Sequence, residues 1–91
     1  MRKDFHQKIK GLDDGAYDVS FHERRYLLRK QTQLRGKLIK LYAEELGGND
    51  FISLNYYPEI KKGLLKPCEM SVKKVVVFIL GLKLFSENPE I

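Results

Sequence analysis

Apolar residues in the first half of the chain recur at the three- and four-residue spacing of an α-helix. Over Phe21 to Leu46 they form two neighbouring apolar stripes, which predicts one long amphipathic helix with a broad buried face. Ser20 is a suitable N-cap for this helix, and the Gly-Gly-Asn-Asp segment at 47–50 is a suitable end. A shorter helix is predicted over residues 5–12 by the same spacing.

The second half of the chain contains a shorter and more apolar segment. Over Val72 to Phe85 apolar side chains surround nearly the whole helical circumference, and Ser71 is a suitable N-cap, so we predict a helix buried on most sides. A strand over 75–80 is the competing interpretation, because the same residues have high β propensity. Residues 51–57 fit a short strand or an irregular helical turn, and residues 58–65 fit a short helix.

These elements predict a mainly α fold in a single small domain over residues 1–91, since a chain of this length has room for one modest core. The long basic helix would pack its leucine face on the apolar C-terminal helix. The alternative is an α+β fold with a small sheet from residues 51–57 and 75–80. Residues 86–91 are expected to form a frayed tail.

Charge is distributed unevenly along the chain. The net charge is +5, yet seven basic residues and no acidic residue lie between positions 24 and 40, so the rest of the chain is slightly acidic. An acid-free basic segment indicates an anionic partner, nucleic acid or an acidic protein, although a merely solvated helix face is the competing interpretation. On the predicted helix, the face opposite the leucines would bind this partner through Arg25, Tyr26, Arg29, Lys30, Gln33, Lys37 and Lys40.

A polar seam lies between the two apolar stripes of the predicted helix. Arg24, Gln31, Arg35 and Tyr42 fall in this seam, where a buried arginine would need a carboxylate or carbonyl partner. The seam either faces another subunit or ligand, or its side chains extend past the edge of the core into water. Since the chain carries more apolar helical surface than a small monomer readily covers, we predict a homodimer. Its predicted interface consists of Arg24, Leu27, Leu34, Arg35 and Leu41.

Motifs for catalysis, metal binding and cofactor binding are absent from the sequence. Its only cysteine, Cys68, excludes an internal disulfide, and neither His6 nor His22 has the spacing of a metal site. The longest apolar run has six residues, too few for a membrane span, and the charged first residues do not resemble a secretory signal. We therefore expect a cytoplasmic, non-enzymatic regulatory or adaptor module without cofactor. The alternative is a self-associating helical structural protein.

Overall fold

The computed structural model describes residues 1–84 and shows a six-stranded antiparallel sheet with two helices packed on one face. The elements in chain order are α1 (Lys3–Gly11), β1 (Gly15–Phe21), β2 (Arg24–Gln33), a 3-10 turn (Leu34–Gly36), β3 (Leu38–Glu45), β4 (Phe51–Tyr57), β5 (Leu64–Pro67), α2 (Val72–Gly81) and β6 (Lys83–Leu84). The strand order is β5-β4-β3-β2-β1-β6. Strands β1 to β5 therefore form a meander, and β6 adds to the outer edge of β1.

Alternation of side chains along the central strands separates the sheet into a covered and an uncovered face. In β2, for example, Tyr26 and Leu28 are buried, while Arg25 and Arg29 on either side of this pair are exposed and Leu27 between the two is half-buried. The strand register places the buried residues of neighbouring strands side by side, as the period of two in a strand requires. The sheet contributes ten residues to the hydrophobic core: Val19, Tyr26, Leu28, Ile39, Leu41, Ala43, Ile52, Leu54, Tyr56 and Leu65.

The two helices cover this apolar face and share one core with it. Helix α1 buries Phe5 and Ile9, and helix α2 buries Val75, Val76, Phe78 and Ile79. The Lys8 side chain connects the helices, because its Nζ donates to the carbonyl oxygens of Leu80 at 3.3 Å and Leu82 at 3.1 Å. An ammonium group at this position satisfies carbonyls that the end of α2 leaves without helical partners.

The predicted mainly helical fold is wrong. The segment predicted as one long helix forms the end of β1, all of β2 and β3, and two tight turns. The β1–β2 turn lacks the residues that usually mark a hairpin, since His22 and Glu23 have φ of 51° and 65°. The β2–β3 turn contains one such residue, Gly36 at φ of 90°, after Leu34 and Arg35 at φ of 54° and 57°. The long helix and its packing on the C-terminal helix therefore do not exist, because the backbone pairs across strands instead.

The predictions for the other segments had mixed outcomes. The short first helix is confirmed as α1. The helix predicted over Val72 to Phe85 is confirmed from Val72 to Gly81, with the Ser71 hydroxyl accepting from the Lys74 backbone N–H at 3.1 Å, but its predicted extension is wrong because Lys83 and Leu84 form β6. Helix α2 ends at Gly81, so the alternative strand over 75–80 is wrong. Residues 51–57 form a strand, whereas the helix predicted over 58–65 is a turn followed by β5. The predicted tail at 86–91 lies outside the described residues.

Candidate functional site on the uncovered sheet face

The sheet face opposite the helices is called the open face here. It consists of the alternate residues of β1 to β5 that point away from the core, and most of them are exposed or half-buried, Leu38 being the buried exception. Its residues are Ala16, Asp18, Ser20, Arg25, Leu27, Arg29, Gln31, Gln33, Leu38, Lys40, Tyr42, Glu44, Phe51, Ser53, Asn55, Tyr57, Leu64 and Lys66.

A groove of about 660 Å³ lies in the middle of the open face. Two consecutive rows of cross-strand neighbours supply its side chains. The first row is Ala16, Arg29, Tyr42 and Ser53, and the second is Gln31, Lys40 and Asn55, with Lys66 continuing it on β5. Cys68 lies at the margin, where its backbone N–H donates to the Ser53 carbonyl at 2.9 Å. Among the described residues, no Asp or Glu lines this groove.

The groove and the adjoining Lys66 concentrate positive charge that forms no ion pair within residues 1–84. Arg29, Lys40 and Lys66 are exposed, and none of them forms an ion pair within residues 1–84. Arg29 and Lys40 are diagonal neighbours on adjacent strands, which places their Cα atoms about 7–8 Å apart. The carboxylates of the open face, Asp18 and Glu44, lie in the adjacent row on either side of Leu27, as diagonal neighbours of Arg29, and Asp18 lies 3.6 Å from Arg25. The groove is therefore a local cationic surface.

An accessible aromatic ring borders this cationic surface. Tyr42 is 38% exposed, and its ring centroid lies 6.2 Å from that of Phe51 with an angle of 30° between the planes. The register places Arg29 and Ser53 on either side of Tyr42, and Lys40 lies two residues away along β3 on the same face. A flat ring with two cations beside it can stack on a planar group while the cations bind adjacent negative charge.

The seven residues predicted to bind an anionic partner do not all lie on the same face of the sheet. Five of them lie on the open face or in the adjoining β2–β3 turn: Arg25, Arg29, Gln33, Lys37 and Lys40. The other two, Tyr26 and Lys30, point to the covered face and are only 2% and 4% exposed. A helix would have grouped all seven side chains, whereas a strand sends neighbours to opposite faces. The prediction is therefore wrong for Tyr26 and Lys30, which are core residues.

Tyr26 belongs to a polar cluster at the end of the core. Its hydroxyl donates to Asp50 at 2.7 Å, and Asp50 also accepts from Lys74 Nζ at 2.7 Å. Burial, together with the hydrogen bond to Asp50, raises the pKa of the Tyr26 phenol. The hydrogen bond from Lys74 lowers the pKa of Asp50, so the carboxylate stays charged at neutral pH. This cluster fixes the start of α2 against the β3–β4 turn.

Lys30 caps the end of helix α1 from inside the protein. Its Nζ donates to the carbonyl oxygens of Lys10, at 3.4 Å, and of Leu12, and it lies 3.9 Å from a carboxylate oxygen of Asp14. Burial lowers the pKa of this amine below its ordinary value. Its position matches that of Lys8 at the end of α2, since both lysines satisfy terminal helix carbonyls. Lys30 cannot reach a partner on the open face.

The residues of the predicted dimer interface do not form one surface. Leu41 is 2% exposed in the core of the single chain, whereas Leu27 lies on the open face. Leu34 and Arg35 lie in the β2–β3 turn, and Arg24 lies near the opposite end of the sheet, 3.4 Å from Glu45. The seam between helical stripes therefore does not exist. Homodimer formation itself stays a prediction.

Five residues of the candidate site were not among the seven predicted to bind an anionic partner. They are Gln31, Tyr42, Ser53, Asn55 and Lys66, and they enter the site through register with Arg29 and Lys40. The alternation of apolar and polar residues over 51–57 was the available signal for two of them, because it places Ser53 and Asn55 on one face. The others depend on pairing between distant segments, which a local pattern does not show.

The chain matches no protein-family model, no curated protein and no solved structure. Two further findings concern residues 1–84. No helix in this part of the chain is long and apolar enough to cross a bilayer. The same residues contain no group of three or more His, Cys, Asp and Glu side chains that could hold a metal ion.

Proposed function

We propose that the protein is a small non-enzymatic binding module of the cytoplasm that holds an anionic polymer on its open face. The observation that supports this most is the groove itself, in which Arg29 and Lys40 meet without any lining carboxylate. Lys66 adds a third unpaired cation beside it. Clustered like charges repel one another, so an anion bound among them gains from all three at once.

A polymer fits this surface better than a small anion does. An exposed ion pair contributes only about 0–1 kcal/mol, whereas micromolar affinity corresponds to about 8 kcal/mol. Several contacts along a chain are therefore needed, together with the release of counterions that the polymer had condensed. Three isolated contacts to a monovalent anion would bind it too weakly to matter.

Further cations lie at one end of the sheet, beyond an uncharged row of Gln33, Leu38, Tyr57 and Leu64. The β2–β3 turn carries Arg35 and Lys37, and the β4–β5 turn carries Lys61 and Lys62, all exposed. Both turns close hairpins at the same end of the sheet, as the antiparallel register requires. An anionic chain leaving the groove toward this end meets further cations, so the binding surface is longer than the groove.

Fluorescence anisotropy with fluorescein-labelled heparin tests this proposal. We expect binding at about 50 mM salt that weakens by more than tenfold at about 200 mM, because counterion release drives it. The triple variant Arg29→Glu, Lys40→Glu and Lys66→Glu should lose binding while remaining folded. No binding at low salt would refute the proposal.

A matched control variant distinguishes binding at the open face from a general effect of net charge. Lys3, Lys10 and Lys73 are exposed residues of the two helices, and none of them forms an ion pair within residues 1–84. Changing these three to Glu alters the net charge by the same amount as the open-face triple variant. We expect the control to lose much less affinity. Equal losses in both triple variants would mean that heparin responds to overall charge, and the open face would be excluded as the site.

A further inference from the structure

We infer that the anionic polymer is single-stranded nucleic acid, with a base stacked on the Tyr42 ring and phosphates held by Arg29, Lys40 and Lys66. This inference rests on the proposed function and names its partner. Its basis is the position of an exposed aromatic ring directly beside unpaired cations. Alternating aromatic faces and cations are what a polymer of alternating bases and phosphates requires.

The side chains between the cations also suit nucleobases. Gln31, Lys40 and Asn55 are direct cross-strand neighbours, so a planar amide lies on each side of the lysine. An amide offers both a donor and an acceptor and can pair with the edges of any base. Ser53, next to Tyr42, adds a hydroxyl that can donate or accept. Such groups bind exposed base edges without requiring one sequence.

Duplex DNA does not suit this surface. Proteins that read a duplex in its major groove, which is about 12 Å wide, insert a helix or a two-stranded ribbon into it. Here the cationic residues line a concavity in a sheet, and the Tyr42 ring can stack only on a base that is not already stacked in a helix. An unpaired strand can follow the groove and present its bases one at a time.

The arrangement also differs from that of a protein-binding surface. Protein interfaces have an apolar centre from which charged residues are depleted, with the polar residues at the rim. On the open face the order is reversed, because Arg29, Gln31, Lys40 and Asn55 occupy the centre and Phe51 lies toward the side. An acidic peptide could neutralise the cations and hydrogen-bond the amides, but its acidic side chains carry no ring to stack on the tyrosine face.

The dimensions indicate a short binding site. Adjacent strands are about 4.8 Å apart, so Lys40 on β3 and Lys66 on β5 are separated by about 10 Å across the sheet. From β1 to β5 the face is about 19 Å wide. We therefore expect a footprint near the lower end of the range of about 4–16 nucleotides found for single-strand-binding folds.

The experiment compares three labelled probes on the full chain. They are an oligothymidine of about 12 nucleotides, a duplex of the same length and poly-glutamate, each measured by fluorescence anisotropy at about 100 mM salt. We expect the oligothymidine to bind about tenfold or more tightly than the other two. If heparin binds but the oligothymidine has no advantage over the duplex, the inference is overturned while the proposed function stands. Tighter binding of poly-glutamate would identify an acidic protein as the partner instead.

Substitution of Tyr42 tests the stacking contact. Tyr42→Ala should weaken oligothymidine binding by about 5- to 150-fold, the effect expected for one lost base–aromatic contact. Tyr42→Phe should restore it, because the ring and not the hydroxyl makes the contact. Heparin binding should change less than about twofold in either variant, since heparin has no bases to stack.

A second ringless variant guards against a folding defect. Tyr42→Thr removes the ring but keeps a side chain with high strand propensity, so it should behave as Tyr42→Ala does in binding while preserving β3. Oligothymidine affinity unchanged in the folded Ala or Thr variant would overturn the stacking inference, and so would failure of Phe to restore it. If the wild-type protein binds neither heparin nor oligothymidine, both proposals are refuted.

Discussion

Replacing the buried Lys30 by Met should destabilise the fold and leave anion binding intact. The Lys30 amine is held between the Lys10 and Leu12 carbonyl oxygens at the end of α1, on the covered face of the sheet. Methionine keeps a flexible apolar stem of similar length and removes only the amine. The change therefore isolates the contribution of the cap from that of side-chain packing.

The size of the effect follows from two opposing contributions. Hydrogen bonds from a charged donor contribute about 1.5–3 kcal/mol, and the Leu12 carbonyl would be left without this donor in a residue that is only 8% exposed. Removing the ammonium also relieves the cost of burying it, the same cost that lowers the pKa of Lys30. We expect a net loss of about 2 kcal/mol in the free energy of unfolding for Lys30→Met. Lys30→Ala should lose about 2 kcal/mol more, because three buried methylene groups also disappear.

Urea denaturation followed by far-ultraviolet circular dichroism at pH 7 measures these losses. Lys40→Met is the matched control, because Lys40 is the exposed direct neighbour of Gln31 on the next strand and its loss should change stability by less than about 0.5 kcal/mol. Folded Lys30→Met should bind heparin like wild type, whereas Lys40→Met should bind more weakly. Equal stability of the two variants, or lost heparin binding by folded Lys30→Met, would refute the assignment of Lys30 to the core.

Three further predictions concern other parts of the fold and use the same denaturation assay. Gly63→Ala should lower the free energy of unfolding by about 3 kcal/mol or more, because φ is +116° and a methyl group would overlap the Tyr56 hydroxyl. Gly11→Ala, in open space at the end of α1, should instead raise it by about 0.5–1 kcal/mol. Similar effects at both sites would contradict the β4–β5 turn. Ser71→Ala should cost about 1 kcal/mol through loss of the α2 N-cap, and an unchanged midpoint would argue against that cap. Because the pKa of Tyr26 is raised, the protonated phenol stabilises the fold fully below pH 10.0, and this stabilisation is lost at higher pH by up to about 1.4 kcal/mol per pH unit. Tyr26→Phe should therefore flatten the decline in the free energy of unfolding between about pH 9 and 11. An identical decline in the variant would exclude Tyr26 as its source.

The sequence by itself determined the two helices of the described chain. Helix α1 follows from the spacing of Phe5 and Ile9, and α2 follows from Ser71 and the apolar residues after it. These signals are local, since a cap bonds within its own first turn and helical spacing joins residues three or four apart. The acid-free basic segment at 24–40 was equally visible, because charge is a property of composition.

Strand β2 could not be predicted from the local pattern, because its apolar positions fit both the helical period and the strand period. Leu27 and Leu28 are adjacent, which fits a helix face, yet in the sheet they point to opposite sides. Lys30 occupies a buried strand position and so disguises the alternation of β2. The turn at His22 and Glu23 has no glycine or asparagine to mark it. Only pairing with β1 and β3 decides in favour of strands.

The composition of the candidate site was likewise decided by tertiary structure. The sequence showed that cations concentrate at 24–40, but which of them reach a partner depends on which sheet face the helices cover. Packing of α1 and α2 assigns Lys30 to the core and leaves Arg29 and Lys40 on the open face. The register then adds Asn55 and Lys66, which are distant in the chain. Charge is carried by each residue alone, whereas a binding surface depends on hydrogen bonds between strands that no local segment contains.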